Sequence, residues 1–248
     1  MPSTDTPAGT VRLIHRFPVK GMAGEQLAEV FVTYAGLTGD RVYAFLDPEN
    51  KTDFPWITPR IWPGMLLLKP KFLAPPRVEE ERPARESYRV EVAMPDGSSQ
   101  DVTAESLRLL LETKSGKRAI LRFSERSMHD ARPVSIFGGK TLDALSDESG
   151  IALDPRRFRP NFVVDWTSPD PFYEDSLIDR RIRIGQTLTL VVAKRNQRCK
   201  VVTFDPDTIA PSPQIFENIA RRHDSCVGIY GAVLREGIVR RGDPVFVD

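Results

Sequence analysis

The chain has 248 residues, 40% hydrophobic and 28% charged, with a formal net charge of +1. At roughly 150 residues per domain this is one large domain or two small ones, long enough to bury a core, and neither half is basic enough for general nucleic-acid binding. No run approaches the ~18 apolar residues of a membrane span, the start MPSTDTPAGT lacks the charged and apolar regions of a signal peptide, and two cysteines make neither a disulfide framework nor a zinc spacing, so a reducing cytoplasm is expected.

Residues 1–10 read as a flexible tail. Residues 11–17 alternate as a strand does, and Pro18-Val19-Lys20-Gly21 turns it. Residues 26–33 predict a second strand, ended by Ala35-Gly36-Leu37-Thr38-Gly39-Asp40, and residues 41–46 a third. Proline and tryptophan crowd residues 54–63 too closely for one regular element. Residues 65–68 are a short buried run, and residues 70–87, rich in Pro, Glu and Arg, read as an exposed loop. Residues 88–94 and 99–102 flank Pro95-Asp96-Gly97-Ser98, a hairpin signal. Leu107, Leu110 and Leu111 have helical spacing, with Thr103 as cap and Gly116 as stop. Residues 119–123 return as a strand, and residues 124–132 form a polar connector.

Residues 133–137 predict a strand, and residues 141–149 a short helix on Leu142 and Leu145. Strands follow at 162–164, 182–184, 187–193 and 200–204. Ser212-Pro213 opens a helix with proline at its first position, where the missing N–H costs nothing, and Ile215, Phe216 and Ile219 form its stripe. Residues 230–234 and 245–247 close the chain. Many short strands and few helices predict a mainly β (α+β), barrel-rich fold.

Chemistry gathers in residues 191–208, VVAKRNQRCKVVTFDPDT. Cys199 lies between two apolar runs, both read as strands, with Lys194, Arg195, Arg198 and Lys200 close by in sequence. Positive charge favours the thiolate, which is both nucleophile and soft-metal ligand. The other use of such a residue is as a small buried hydrophobe. Cys226 reads as structural. His15, His129 and His223 have no metal-type spacing, and the chain has no GxxxxGK[ST], no GxGxxG between strand and helix and no Gly-x-Ser-x-Gly.

Around Cys199 the residues resemble the MOSC-domain family, and within it the mitochondrial amidoxime-reducing component and its bacterial relatives. FPVKG (residues 17–21) is similar to a Y-P-V-K-S/G element, Asp40-Arg41 to a D-R before a strand, and Ile57-Thr58-Pro59-Arg60 with Pro63 to T-x-R-x-x-P. Phe158-Arg159-Pro160-Asn161 matches F-R-P-N, and Phe172-Tyr173-Glu174-Asp175 resembles Y-x-E-D. Arg198-Cys199, Thr203 and Asp205-Pro206-Asp207-Thr208 resemble R-C-x-x-[TI]-x-D-P-x-T. Gly228-Ile229-Tyr230 fits G-x-Y, and Gly242-Asp243-Pro244-Val245 fits a terminal G-D-x-V. Each motif alone is weak; their shared order over most of the chain carries the resemblance.

The resemblance implies two β-barrel-like parts: an N-terminal MOSC β-barrel domain at residues 11–123 and a MOSC domain at 124–248. It implies a molybdenum–pterin cofactor with Cys199 as the metal's protein ligand. Lys20, Gly21, Arg41, Arg159, Asn161, Arg198 and Tyr230 would bind the cofactor, its phosphate through charge-assisted hydrogen bonds, and Asp175 would position water or substrate. The implied reaction is two-electron reduction of a small N-hydroxylated compound, molybdenum cycling between its IV and VI states. Electrons would come from a separate donor protein, since the chain carries no flavin, haem or iron–sulfur signature. Gly21, Gln197 and Arg132 depart from the amidoxime-reducing pattern and bear on substrate choice, Arg132 by enlarging the cationic site or narrowing its entrance. The alternatives are a cofactor or sulfur carrier without turnover, and a non-catalytic β-barrel binding module.

Overall fold

The structure, a computed structural model, describes residues 6–74 and 85–248. The first part of the expected tail and the middle of the expected 70–87 loop lie outside the described residues. In chain order the elements are β1 (Gly9–Arg16), β2 (Glu25–Leu27), β3 (Glu29–Thr33), β4 (Gly36–Leu37), β5 (Tyr43–Leu46), β6 (Lys69–Phe72), β7 (Val90–Ala93), β8 (Ser99–Asp101), α1 (Glu105–Ser115) and β9 (Ile120–Phe123). Then come β10 (Val134–Gly138), α2 (Gly139–Ser149), β11 (Phe162–Trp166), β12 (Arg181–Ile184), β13 (Leu188–Gln197), α3 (Pro213–Arg222), β14 (Cys226–Arg235), β15 (Gly237–Arg240) and β16 (Pro244–Val247).

Seven strands close into a barrel. The order β11-β10-β14-β13-β12-β16-β1 returns on itself because β1 also pairs antiparallel with β11, Val11 opposite Val164 and Ile14 opposite Phe162. Alternate residues point inward, and Ile136, Phe162, Ile184, Leu190 and Ile229 are fully buried there. Each such side chain contributes about 1.5–3 kcal/mol on burial. β1 belongs to the N-terminal half, so the barrel is completed from across the expected division at 123/124. β15 likewise pairs back onto β3, adding Val30, Val32 and Val239 to the barrel core.

The rest of the N-terminal half encloses its own core of Phe45, Met65, Leu68, Leu107 and Leu111, under the β6-β7-β8 and β5-β9 sheets. A third cluster forms where α2 and α3 meet, with Leu145, Ile215, Ile219 and Val202. The mainly β reading with a barrel in the C-terminal half therefore holds. Among the described residues no helix is long and apolar enough to cross a membrane.

Several boundaries differ from expectation, each for a physical reason. The run 26–33 divides at Ala28, because β2 pairs with β1 while β3 pairs with β15 and β4. The expected strand at 200–204 is a 3-10 turn, Lys200–Thr203, which inserts Val202 beside Ile215 and Ile219. A short apolar run has too few residues for its period to decide. Cys199 thus lies between a strand and a turn. Thr103 does not cap α1. Ala104 holds that position, and the Thr103 N–H and hydroxyl both donate to Asp101 Oδ1. β6 begins at Lys69, so the expected loop opens with a strand.

Candidate functional site

Four segments from both halves converge beside Cys199. Along β13 the register against β14 shifts between Val192 and Lys194 and again between Arg195 and Gln197. Bulges of this kind re-aim the residues that follow. Cys199 then stands in extended backbone (φ −136°, ψ 175°), its thiol free and partly exposed. The turn after β1 brings Lys20 and Gly21, the residue before Val42 is Arg41, and the 3-10 turn Pro155–Phe158 brings Arg157 and, just beyond it, Arg159. Together they line a cleft of about 730 Å3, counting the space at its mouth.

Gly21 is required where it stands. Its φ is +86°, and a Cβ would meet Met65 Cε at 3.1 Å and Pro59 Cδ at 3.2 Å. The absent side chain lets the Lys20 turn lie flat on residues 58–59.

The cleft is strongly cationic. Lys20, Arg41, Arg60, Arg157, Arg159 and Arg198 line it, and among the described lining residues Asp130 is the one carboxylate. The Arg41 and Arg159 guanidinium carbons both lie over Phe17, 4.7 and 4.3 Å from its ring centre. Arg159 has left-handed backbone (φ 52°) and donates to the Met22 carbonyl at 2.7 Å. Arg198 donates to the carbonyls of Val227 and Phe158, both at 2.8 Å. Neither has an ion-pair partner among the described residues. Burial, with Arg41 adjacent, pushes the Arg159 pKa down to about 9, and burial pushes Arg198 down to about 10. Both remain cations at neutral pH, held where a charge is unfavourable without an anion.

Behind the cleft lies a fixed network centred on Asp40, which is fully buried. Asp40 accepts from the Phe17 N–H at 2.7 Å, from the Asn161 amide at 3.1 Å and from Arg41, its ion-pair partner. Asn161 is saturated by the protein. Its oxygen accepts from the Ser135 N–H and hydroxyl, both at 3.0 Å, and its nitrogen also donates to the His15 carbonyl at 3.3 Å. Asn161 therefore lines only a small recess beside the cleft, with Arg132 and Tyr230, and has no donor to spare for a ligand. Expected in contact with the cofactor, it instead holds Asp40 and the Ser135 backbone.

Asp175 is not among the cleft-lining residues. Its carboxylate pairs with Arg195 at 2.9 Å, and burial raises its pKa although Arg195 opposes the shift. The expected role beside the metal is not what its surroundings provide, because the neighbouring cation of β13 engages it. Tyr230 does line the cleft. Burial raises its pKa while Arg198 opposes the shift. Arg132 is exposed and donates to the Ala131 carbonyl. Cys226 opens β14, opposite Gln197.

Sequence reasoning passed over Asn196 and Asp130. Asn196 is 3% exposed. In the amide orientation that satisfies both neighbours it donates to Tyr230 Oη at 3.2 Å and accepts from Arg198 Nη2 at 3.2 Å. Its place three residues before Cys199 was the available signal. Asp130, in the connector, pairs with Lys20. A lone carboxylate in an irregular segment gives no periodic signal.

Two family models match nearly end to end: the MOSC N-terminal beta barrel domain at residues 8–129 and the MOSC domain at residues 124–246. The chain belongs to the MOSC-domain family. The MOSC domain is associated with molybdenum-cofactor binding. Among solved structures, this MOSC protein is similar to the YuaD protein from Bacillus subtilis, at 17% identity over 96% of this chain and 94% of that one, with a TM-score of 0.51. At that identity the likeness shows the fold alone. YiiM from Geobacillus stearothermophilus matches at 16% identity over 47% of this chain and 54% of its own, TM-score 0.38. YiiM from Escherichia coli matches at 14% over the same shares, TM-score 0.35. No curated protein matches the chain.

Proposed function

We propose that the cleft binds a molybdenum–pterin cofactor, with the Cys199 thiolate as the metal's protein ligand, and that the protein is an oxidoreductase for small N-hydroxylated compounds. One observation carries this reading: Arg198, buried, and Arg159, half-buried, stand beside Cys199 without a carboxylate of their own. Among the described residues no group of three or more His, Cys, Asp or Glu is placed to hold a metal ion. A single soft thiol with surplus buried cations is the donor set suited to an anionic group that carries most of its metal's ligands itself. The residues present fit that group.

When bound, the cofactor supplies the two-electron couple that cleaves an N–O bond and releases water. The chain's own part is binding and orientation. Lys20, Arg41 and Arg159 form the anion-binding side. Arg198, held by two backbone carbonyls and Asn196, keeps positive charge next to the Cys199 sulfur. Electrons come from a separate donor protein, and a reducing compartment such as the cytoplasm keeps Cys199 a thiol.

The test is molybdenum and pterin content of protein from a cofactor-competent host, wild type beside Cys199→Ala. Near one metal per chain, lost in the variant while pterin is retained, is the expected result. Equal metal in both proteins would remove the ligand role. Cofactor bound without conversion of any N-hydroxylated compound, given a chemical reductant, would favour a carrier.

A further inference from the structure

The carboxylates paired with Arg41 and Lys20, Asp40 and Asp130, are held in opposite ways. Asp40 is fully buried and spent on Phe17, Arg41 and Asn161. Asp130 is 57% exposed in its side chain and has Lys20 as its partner. The Lys20 side chain is 5% exposed, and among the described residues its ammonium donates to one segment, to Asp130 and to the Met128 carbonyl, the latter at 2.7 Å. That segment, residues 124–132, has no helix or strand, and Ser127 in it has φ 60°. It is anchored just before Asp130, where the Met128 N–H donates to the Arg41 carbonyl and the His129 ring bonds the Ala35 carbonyl.

We propose that Asp130 is an exchangeable counter-ion: it holds Lys20 in the cleft and yields that position to the phosphate of the ligand. The inference rests on the reading of the cleft as a site for a phosphate-bearing group. Three observations favour exchange over a fixed tether. Asp130 faces solvent, so leaving Lys20 returns it to water at low cost. Lys20 is too buried to find water itself, so it must keep an anion. Arg41 and Arg159 surround the same point, so an incoming phosphate of higher charge meets more cations than Asp130 engages. Burial lowers the Lys20 pKa and Asp130 opposes that shift, in keeping with a pair that exists to keep Lys20 charged. Asp130 is thus a positioning residue that acts through Lys20, and it sets how tightly the site binds any anion.

The test uses the whole chain and inorganic phosphate, measured by calorimetry at constant ionic strength, with thermal melts beside it. Asp130→Asn is expected to bind phosphate about tenfold more tightly than wild type, because no carboxylate competes. It should also melt lower than wild type without phosphate and level with it at saturation. Lys20→Met is expected to bind phosphate weakly whichever residue stands at 130. Equal or weaker binding by Asp130→Asn, or a melting deficit that saturating phosphate leaves intact, overturns the exchange and makes Asp130 a structural tether. Absence of phosphate binding in both wild type and Asp130→Asn overturns the anion site itself, and the exchange with it.

Discussion

Arg157 and Arg159 lie two residues apart and are satisfied by different means. Arg157 donates to the Thr203 carbonyl at 3.0 Å and pairs with Asp205 at 2.9 Å. Asp205 is in turn fixed by the Asp207 and Thr208 N–H groups at 3.0 Å, so the Asp205-Pro206-Asp207-Thr208 turn works as a clamp on that arginine. Arg159 gets one carbonyl bond and the face of Phe17, and burial pushes its pKa to about 9. A chain that supplies an aspartate for one arginine and none for its neighbour leaves the second for something it does not encode. Composition cannot separate the two; only partner bookkeeping does.

Three substitutions sharpen that contrast, beginning with the largest effect. Asp40→Ala leaves Arg41 buried without its anion and should cost roughly 3–5 kcal/mol of stability by denaturant unfolding at pH 7. A loss under about 1 kcal/mol would show that Arg41 does not depend on Asp40. Arg159→Met should do the reverse. It removes an unpaired, half-buried charge, so stability should hold or rise, while phosphate affinity falls about thirtyfold, roughly 2 kcal/mol. If stability falls with the affinity, Arg159 is structural and the comparison fails. Arg157→Met should lose roughly 1–2 kcal/mol of stability through its broken bonds to Thr203 and Asp205, with a smaller change in phosphate affinity than Arg159→Met.

A pH titration tests the lowered cations of the cleft without mutation. Anion binding needs the charged forms, and burial lowers both Lys20 and Arg159, the latter to about 9. Affinity for sulfate, whose charge is constant over the range, should fall as pH rises through about 9, where Arg159 loses its charge. Arginines at their ordinary value would keep their charge to about pH 12. A flat profile to pH 11 would mean that no lowered cation contributes to binding.

What the sequence made legible were local signals. The Asp96-Gly97 hairpin, the Gly116 stop with φ 66° and Pro213 at the first position of α3 all formed as read, because each depends on a few adjacent residues. The closure of the barrel was not legible, since β1 meets β11 across about 150 residues and no local pattern encodes that pairing. β15 was missed for the same reason: four residues, Gly237–Arg240, gain meaning only against β3. The site divides in the same way. Lys20, Gly21, Arg41, Arg159, Arg198, Cys199 and Tyr230 could be picked out by ordered motifs and do line one cleft. Asn161 and Asp175 belong to the same motifs, yet their side chains serve Asp40 and Arg195. A motif marks a residue as constrained without saying whether the constraint faces the ligand or the scaffold.

Asp175 gives the smallest expected effect and the finest test of that distinction. Its one charged partner is Arg195, which also donates to the His223 and Cys226 carbonyls at 3.0 Å and so keeps neighbours if the carboxylate goes. The pair is partly exposed, at 23% and 29%, which places it among ion pairs contributing about 0.2–1 kcal/mol. Asp175→Asn should therefore cost no more than about 1 kcal/mol and change phosphate affinity by less than about twofold. Burial raises the Asp175 pKa, so its charge is a liability in the fold. For an acid whose folded pKa is raised, the stabilising form is the protonated one, present at low pH and lost as pH rises through the carboxylate range. The Asn variant, fixed in a neutral form, should accordingly close part of its stability gap with wild type as pH rises from 4 to 7. A large loss of cofactor content in Asp175→Asn, with stability unchanged, would instead put Asp175 back at the ligand and show that the Arg195 pair opens when the cleft is filled.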